Sequence, residues 1–421
     1  MTELNSWRNS ELGSFVSLFG GAAFKSQDAT REGIKWLKIA NVGFGTVKWE
    51  VVEYLPEDFK EENERYLLKS PDIVVAMTRP ILNGYLKVAR LRPCDGIALL
   101  NQRVAKVVTS EKIDSEFVLQ HLFTRRLASS LELALSGTDP PNLSSRVLDE
   151  VSIPIPPLPE QQKIAAILST WDRAIELTEK LIAAKQKRKQ ALMQQLLTGK
   201  VRFKEFVKSK NRQKTPIGNM PSDWKTHRLG KIVEKVKRKN PDGEVHVLTA
   251  SGEHGLVDQR DFFNRSVAGA DLSGYYLLKR GEFAYNRSAM KGYPFGAIKR
   301  LDRYEQGVLS TLYICFGITD SRCDSDYLRQ FFEACLLDKQ LRGITQVGGR
   351  AHGLLNITDG DFYSMSVVLP SIPEQQKIAA VLDTQDSEIN SVRKKLAVLN
   401  QQKKGLMQQL LTGNIRVKFG A

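Results

Sequence analysis

Asp139-Pro140-Pro141-Asn142 is the stretch of this chain closest to a catalytic motif. Enzymes that methylate the amino groups of nucleic-acid bases carry Asp-Pro-Pro or Asn-Pro-Pro followed by an aromatic residue that stacks on an extruded base. Here Asn142 stands in the aromatic's place and no glycine-rich cofactor loop precedes it, so a turn before the next strand is the better account. Pro241-Asp242 could open a magnesium-nuclease signature, in which carboxylates hold the metal, but Glu253-His254-Gly255 follows without the acidic-x-Lys partner. No Gly-x-x-x-x-Gly-Lys-Ser/Thr is present to cradle phosphates. His121, His227, His246, His254 and His352 have no metal-ligand spacing. Cys94, Cys315, Cys323 and Cys335 form no Cys-x-x-Cys pair and are too few for a disulfide framework, so reduced, mostly buried thiols are expected. The chain is expected to be no enzyme and to bind neither metal nor cofactor.

The remaining chemistry is binding. Lys and Arg exceed Asp and Glu by 62 − 47 = 15 in 421 residues, and the pI is near 9.5. Such a field attracts a polyanion, although an acidic protein partner or simple solubility would also fit. Between Lys204 and Lys239 stand 12 basic residues against Glu205, Asp223 and Glu234, a run that reads either as a solvated face or as a track for phosphates. Base reading needs planar donors on loops, Arg for guanine and Asn or Gln for adenine. Candidates are Arg79 and Asn83 after a strand ending near Met77, then Asn286, Arg287 and Lys291 after a strand ending near Tyr285, then Arg350 and His352 in a glycine-rich loop. Each could equally be a local turn contact.

These loops are carried by a chain that repeats itself. Pro159-Glu160-Gln161-Gln162-Lys163-Ile164-Ala165-Ala166 recurs at 373–380, and Leu192-Met193-Gln194-Gln195-Leu196-Leu197-Thr198-Gly199 recurs at 406–413, both displaced by 373 − 159 = 214. Weaker echoes precede each copy: Trp7 with Leu12-Gly13 matches Trp224 with Leu229-Gly230, and Asp114-Ser115-Glu116-Phe117 matches Asp324-Ser325-Asp326-Tyr327. Two units that have diverged in length thus alternate with two segments that have not. A period this long, seen twice, is not a solenoid of short repeats.

Pro159 and Pro373 suit a helix start, Glu160 and Glu374 complement the positive end of the helix dipole, and Gly199 and Gly413 suit its stop. A seven-residue pattern runs through Ile164, Leu168, Trp171, Ile175, Thr178, Ile182, Lys185, Lys189, Leu192 and Leu196. Its counterpart is Ile378, Leu382, Gln385, Ile389, Val392, Leu396, Leu399, Lys403, Leu406 and Leu410. One such helix would pack on its own domain, but two equal helices of ~60 Å are each too long for a small domain's face. Mutual pairing as a coiled coil is expected, with Thr178, Lys185 and Gln385 weakening the seam while helping to set its register. The other units offer Ile73–Met77, Ile97–Leu100, Tyr275–Leu278 and Leu312–Phe316 as strands, then helices over 115–135 and 325–341, an α+β pattern. The polar Met1–Ser10 start has no apolar core of a signal peptide, and no run approaches the ~18 apolar residues that span a bilayer, so a cytoplasmic location off the membrane is expected.

Leu158-Pro159-Glu160-Gln161-Gln162-Lys163-Ile164, its second copy, and the doubled Leu-Leu-Thr-Gly ending together resemble the specificity (S) subunits of type I restriction-modification systems, over essentially the whole chain. The resemblance implies target-recognition domains at 1–152 and at 204–369 (the latter with the basic entry segment), each followed by a fixed helical segment, 153–203 and 370–421. It implies helices paired antiparallel, so that the two domains read the halves of a bipartite double-stranded DNA target across an unread spacer. The implied partners are two methyltransferase (M) subunits, which hold S-adenosylmethionine, and restriction (R) subunits, which use ATP and Mg. Recognition subunits of type II systems with two-part sites are similar, and a non-catalytic coiled-coil scaffold binding other nucleic acid is a further alternative. Purified chain is expected to transfer no methyl group from S-adenosylmethionine to DNA until a cognate M subunit is added; transfer by the chain alone would contradict the reading.

Overall fold

The computed structural model describes residues 7–137, 140–240, 243–263, 269, 271–345 and 355–418. The chain divides into two compact units, one of residues 1–179 together with 394–421, the other of residues 180–393. Each contains one α+β lobe and portions of both long helices.

The lobe of the first unit is built on a five-stranded sheet ordered Val16–Gly20, Val104–Thr109, Ile73–Ala76, Val88–Arg90 and Gly45–Thr46, antiparallel except for the last pair. The central Ile73–Ala76 strand is buried along its length, as a continuous apolar run should be. A second sheet runs Glu53–Leu55, Ile34–Leu37, Ala98–Leu100 and Leu67–Leu68, its Ala98–Leu100 and Ile34–Leu37 strands parallel. The lobe of the second unit has the same plan. Its main sheet is ordered Val233–Lys235, Ile314–Ile318, Phe283–Asn286 and Ala297–Arg300. Leu248–Ser251 pairs with Gly255–Asp258 and Tyr276–Lys279 with Gln306–Leu309, with a parallel bridge from Val247 to Val308. The two lobes are thus one topology used twice.

All four expected strands are present, with shifted ends. The largest shift is in the last, which begins at Ile314 because Tyr313 closes a turn onto the Ser310 carbonyl at 3.0 Å. The single helices expected over 115–135 and 325–341 are each broken in two. Thr124 ends the first and restarts it, its hydroxyl accepting from the Leu127 amide at 3.2 Å, so the helices are Ser115–Leu122 and Arg125–Ala134. In the second unit Cys335 adopts φ +55° between Ser325–Glu333 and Asp338–Ile344.

The long helices are Leu158–Leu196 and Ile372–Leu410, each of 39 residues. Gly199 and Gly413 take φ +60° and +76° just beyond their ends, where a side chain would be strained. Within the first unit the start of the first helix lies antiparallel to the end of the second: Ile164, Ala165 and Leu168 share a core with Leu410 and Leu411, and Lys403 Nζ reaches Asp172 at 2.5 Å. Within the second unit Met193, Leu196 and Leu197 share a core with Ile378, Ala379 and Leu382, while Lys189 and Lys185 reach Asp386 and Glu388 at 2.6 and 2.7 Å. Every expected seam position is buried or half-buried.

The polar seam residues do more than loosen packing. Asp172 accepts from Lys403 and, at 2.8 Å, from Gln120 of the lobe; Asp386 accepts from Lys189 and, at 2.8 Å, from Gln330 of the other lobe. One carboxylate in each unit therefore ties both helices to the lobe. Thr178 turns its hydroxyl inward onto the Ala174 carbonyl at 2.7 Å.

The repeated Pro-Glu-Gln-Gln motif forms the other attachment. Glu160 is fully buried and accepts from Trp7 Nε1 at 3.2 Å, from the Arg416 guanidinium at 2.8 Å and from the Val417 amide at 3.1 Å. Glu374 accepts from Trp224 Nε1 at 3.2 Å and from Arg202 at 2.8 and 2.9 Å. Each arginine follows the end of one long helix and clasps the glutamate that opens the other. Gln161 and Gln375 complete the motif, each accepting from the amide of the lobe's capping aspartate, Asp114 or Asp324, at 2.8 Å and donating to a proline carbonyl, Pro156 or Pro370, at 2.9 Å. Burial pushes the Glu160 carboxyl up, but the bonds from Arg416, Val417 and Trp7 outweigh it and hold it below the ordinary glutamate range.

The clasps differ in depth. Arg202 is 7% exposed and also pairs with Asp223 at 2.8 Å, whereas Arg416 is 46% exposed. Removing the buried guanidinium strands two carboxylates, so Arg202→Met is expected to cost about 3–5 kcal/mol in urea unfolding, the usual cost of breaking a buried pair. Arg416→Met should cost about half as much, since water reaches its place. Equal losses would show that the difference in burial carries no weight.

Candidate nucleic-acid interface

The two strand exits singled out by residue type leave equivalent strands of the two lobes. The Met77 carbonyl, after Ile73–Ala76, accepts from the Leu143 amide at 2.7 Å; the Arg287 carbonyl, after Phe283–Asn286, accepts from the Leu355 amide at 2.9 Å. Both exits are held by a returning segment of their own lobe.

In the first unit Arg79 sits at φ +46° with its amide on the Pro141 carbonyl at 2.9 Å, and its side chain is exposed. A left-handed arginine before proline persists only where the surroundings impose it, here the adjoining bridge between Thr78 and Asn142. Asn83 (φ +56°) and Gly84 (φ +73°) form the two-residue turn joining Ile81–Leu82 to Tyr85–Leu86, the Asn-Gly pairing such a hairpin favours. Asn83 is exposed at the tip beside exposed Leu82. Arg79 and Asn83 thus stand four residues apart on one projecting loop.

The second exit is different. Arg287 donates from Nε to the Leu312 carbonyl at 2.8 Å and from Nη1 to the Ile357 carbonyl at 3.2 Å, so its fork binds the lobe itself. Asn286 accepts from the Ser288 amide at 3.0 Å, a local turn contact. Lys291 is exposed in the turn between Met290 and Tyr293, residues bridged to each other. Arg350 and His352 lie outside the described residues, as do Asp139, Pro241 and Asp242.

The basic run from Lys204 to Lys239 is no uninterrupted track. Arg212 closes the end of the first long helix, bonding the Gly199 and Thr198 carbonyls at 2.9 Å each. Arg238 meets Glu282 at 2.6 Å, Lys239 donates to the Gly274 carbonyl at 2.7 Å, and Lys235 pairs with Asp359. Lys208, Lys210, Lys214, Lys225, Arg228, Lys231 and Lys237 stay exposed. Among the described residues no group of three His, Cys, Asp or Glu side chains could hold a metal ion, and no helix is long and apolar enough to cross a membrane. Cys94 is exposed, Cys335 half-buried, and Cys315 and Cys323 buried.

The model of the type I restriction modification DNA specificity domain matches the chain twice, at residues 5–185 and 221–401. The chain belongs to this family. It is 40% identical over 201 residues to the type I restriction enzyme MjaVIII specificity subunit of Methanocaldococcus jannaschii, a stretch covering 48% of the chain and 47% of that relative. Identity is 32% over 176 residues with the EcoAI specificity subunit of Escherichia coli, covering 42% and 29%, and 27% over 308 residues with the putative MjaX specificity subunit of M. jannaschii, covering 72% and 68%. The chain spans about half or less of the length of the first two of these relatives. The crystal structure of a type I restriction-modification S subunit from M. genitalium has the same fold, with a TM-score of 0.55 at 16% identity, covering 98% of the chain and 97% of that structure.

Residue type alone missed the arginines of the clasps, although the signal was present: Gly199-Lys200-Val201-Arg202 and Gly413-Asn414-Ile415-Arg416 are related by the same 214-residue shift. It also could not separate Arg79 from Arg287. Arg287→Ala removes a fork from two carbonyls and is expected to lower unfolding stability by about 1–3 kcal/mol. Arg79→Ala should change it by less than about 0.5 kcal/mol, as for an exposed side chain. Thermal unfolding of both variants checks this, and a larger loss for Arg79→Ala would contradict it.

Proposed function

We propose that this chain reads a bipartite DNA target for a type I restriction-modification complex, one lobe on each half-site. The observation that carries the reading is the doubling of one lobe topology, with a long helix after each copy, in a chain of the DNA-specificity family. Two equivalent lobes with different loops supply two different readings of DNA. In the first, Arg79 and Asn83 are the direct-reading candidates, having the donor geometry for guanine and adenine. In the second, Lys291, Arg350 and His352 take that role, while Arg287 and Asn286 shape the loop. The exposed lysines and arginines of the 204–239 segment contact phosphates, which position the protein without specifying sequence.

The recognition domains comprise residues 1–152 and 204–369, and the helical segments 153–203 and 370–421 set the distance between half-sites. The chain itself carries no catalysis. Two M subunits holding S-adenosylmethionine methylate adenine, and R subunits using ATP and Mg cleave, all in the cytoplasm.

If the helices set the spacer, shortening both by one heptad keeps the seam paired while changing the separation. Deleting 175–181 together with 389–395 shortens each by ~10 Å, equivalent to about three base pairs at ~3.4 Å per step. Selection from randomised DNA with the folded double deletion and its M subunit is expected to return the original half-sites with a shorter spacer. An unchanged spacer would rule out the helices as the ruler.

A further inference from the structure

The first unit contains a cleft of ≈ 340 Å³ lined by none of the residues proposed above to read DNA. It opens where the Arg125–Ala134 helix and the Ser152–Ile155 strand meet the end of the second long helix. Its volume lies within the range of small-molecule sites, roughly 300–1,000 Å³. The walls are apolar and partly aromatic: Tyr85, Phe123, Leu127, Met407 and Leu411. Arg125, Arg126 and Lys404, all exposed, stand at the rim. No lining residue is acidic, and among the described residues no carboxylate lies within ion-pair distance of these three cations. The Arg125 guanidinium lies over the Tyr85 ring at 4.7 Å, so one arginine spans the aromatic wall and the charged rim.

Two further features favour an anion with a flat body. Arg125 and Arg126 occupy the first turn of a ten-residue helix, adding the positive end of its dipole to their own charge. Such a placement is unfavourable for the helix by itself, since cations belong at the opposite end. Beside them His121 is 4% exposed and its Nε2 has no hydrogen-bond partner. Burial first, then Arg126, hold its imidazole down to about 3, so at neutral pH it presents a neutral ring with one donor and one acceptor.

The fold does not require these charges. By the 210-residue shift of the lobes His121 corresponds to Phe331, and by the 214-residue shift of the helices Lys404 corresponds to Gln190; Arg125 and Arg126, which open their helix, have as counterparts Asp338 and Lys339, which open the equivalent helix of the second unit. In the second unit that first turn places Lys339 next to the acidic Asp338, and Gln190 stands where Lys404 would be, so the all-cationic rim is not repeated. The grouping of three cations without a carboxylate is thus not imposed by the shared lobe plan.

We infer that the cleft binds a small organic phosphate of mononucleotide size, its ring against Tyr85 and Phe123 and its phosphate on Arg125, Arg126 and Lys404. The test uses the full chain without DNA, titrated by calorimetry with adenosine monophosphate, with adenosine and with inorganic phosphate. The monophosphate is expected to bind about tenfold or more tightly than either fragment, because ring and phosphate engage together. Arg125→Ala with Arg126→Ala should weaken it by about tenfold or more, the loss of charge-assisted bonds. Lys404→Gln, on an exposed helix face, provides a second variant whose folding is not in question and should weaken it in the same sense. Absence of monophosphate binding, binding of inorganic phosphate as tight as that of the monophosphate, or a monophosphate affinity unchanged by Lys404→Gln would overturn the inference.

Discussion

The structure depends on a buried carboxylate that belongs to one helix and is satisfied by the other. Glu160 and Glu374 could not remain charged inside a protein without partners, and the arginine each requires comes from beyond the far end of the opposite helix. A unit that lacked the second helix's tail would hold Glu160 in an apolar wall with only the Trp7 indole to meet it. The clasp thereby favours antiparallel pairing with directional, charge-assisted bonds. It also fixes which end meets which, something an apolar heptad seam leaves open.

Asp172 and Asp386 repeat this logic along the seam. Each lies on one helix, takes a lysine from the other and a glutamine from the lobe, so a rotation of either helix would break bonds to two other elements. The lobe is therefore oriented against the helices by directional bonds, while apolar burial supplies the bulk of the stability. Strand-exit loops can differ while this frame stays unchanged, because none of the clasp or seam residues lies on those loops.

Much of the architecture was legible in the sequence. The 214-residue repeat, the heptad seam and the glycine stops gave the long helices nearly to the residue, since periodicity and capping are local properties. The Pro-Glu-Gln-Gln motif was visible but its meaning was not: the glutamate suited a helix dipole, and only the fold brings Arg416 to it across 256 residues. The helix breaks at Thr124 and Cys335 escaped because hydrophobic periodicity continues through them. Among the candidate base readers, residue type could not distinguish a guanidinium that faces solvent from one folded onto carbonyls 25 and 70 residues away. The equivalence of the two lobes showed only in the echoes at Trp7 and Trp224 and at Asp114 and Asp324; their shared strand order did not, because a strand needs only an apolar, β-prone run and many sequences satisfy that.

The division of the chain also bears on how it assembles as it is made. Residues 180–393 form a unit from one continuous stretch, whereas residues 1–179 need 394–421 to complete theirs. Synthesis proceeds from the N-terminus, so the lobe made first is the one finished last. Until the second long helix is made, Glu160 lacks Arg416 and Val417, and Ile164 and Leu168 lack Leu410 and Leu411, while the second unit can already close. The unit begun first in synthesis is thus the one completed last.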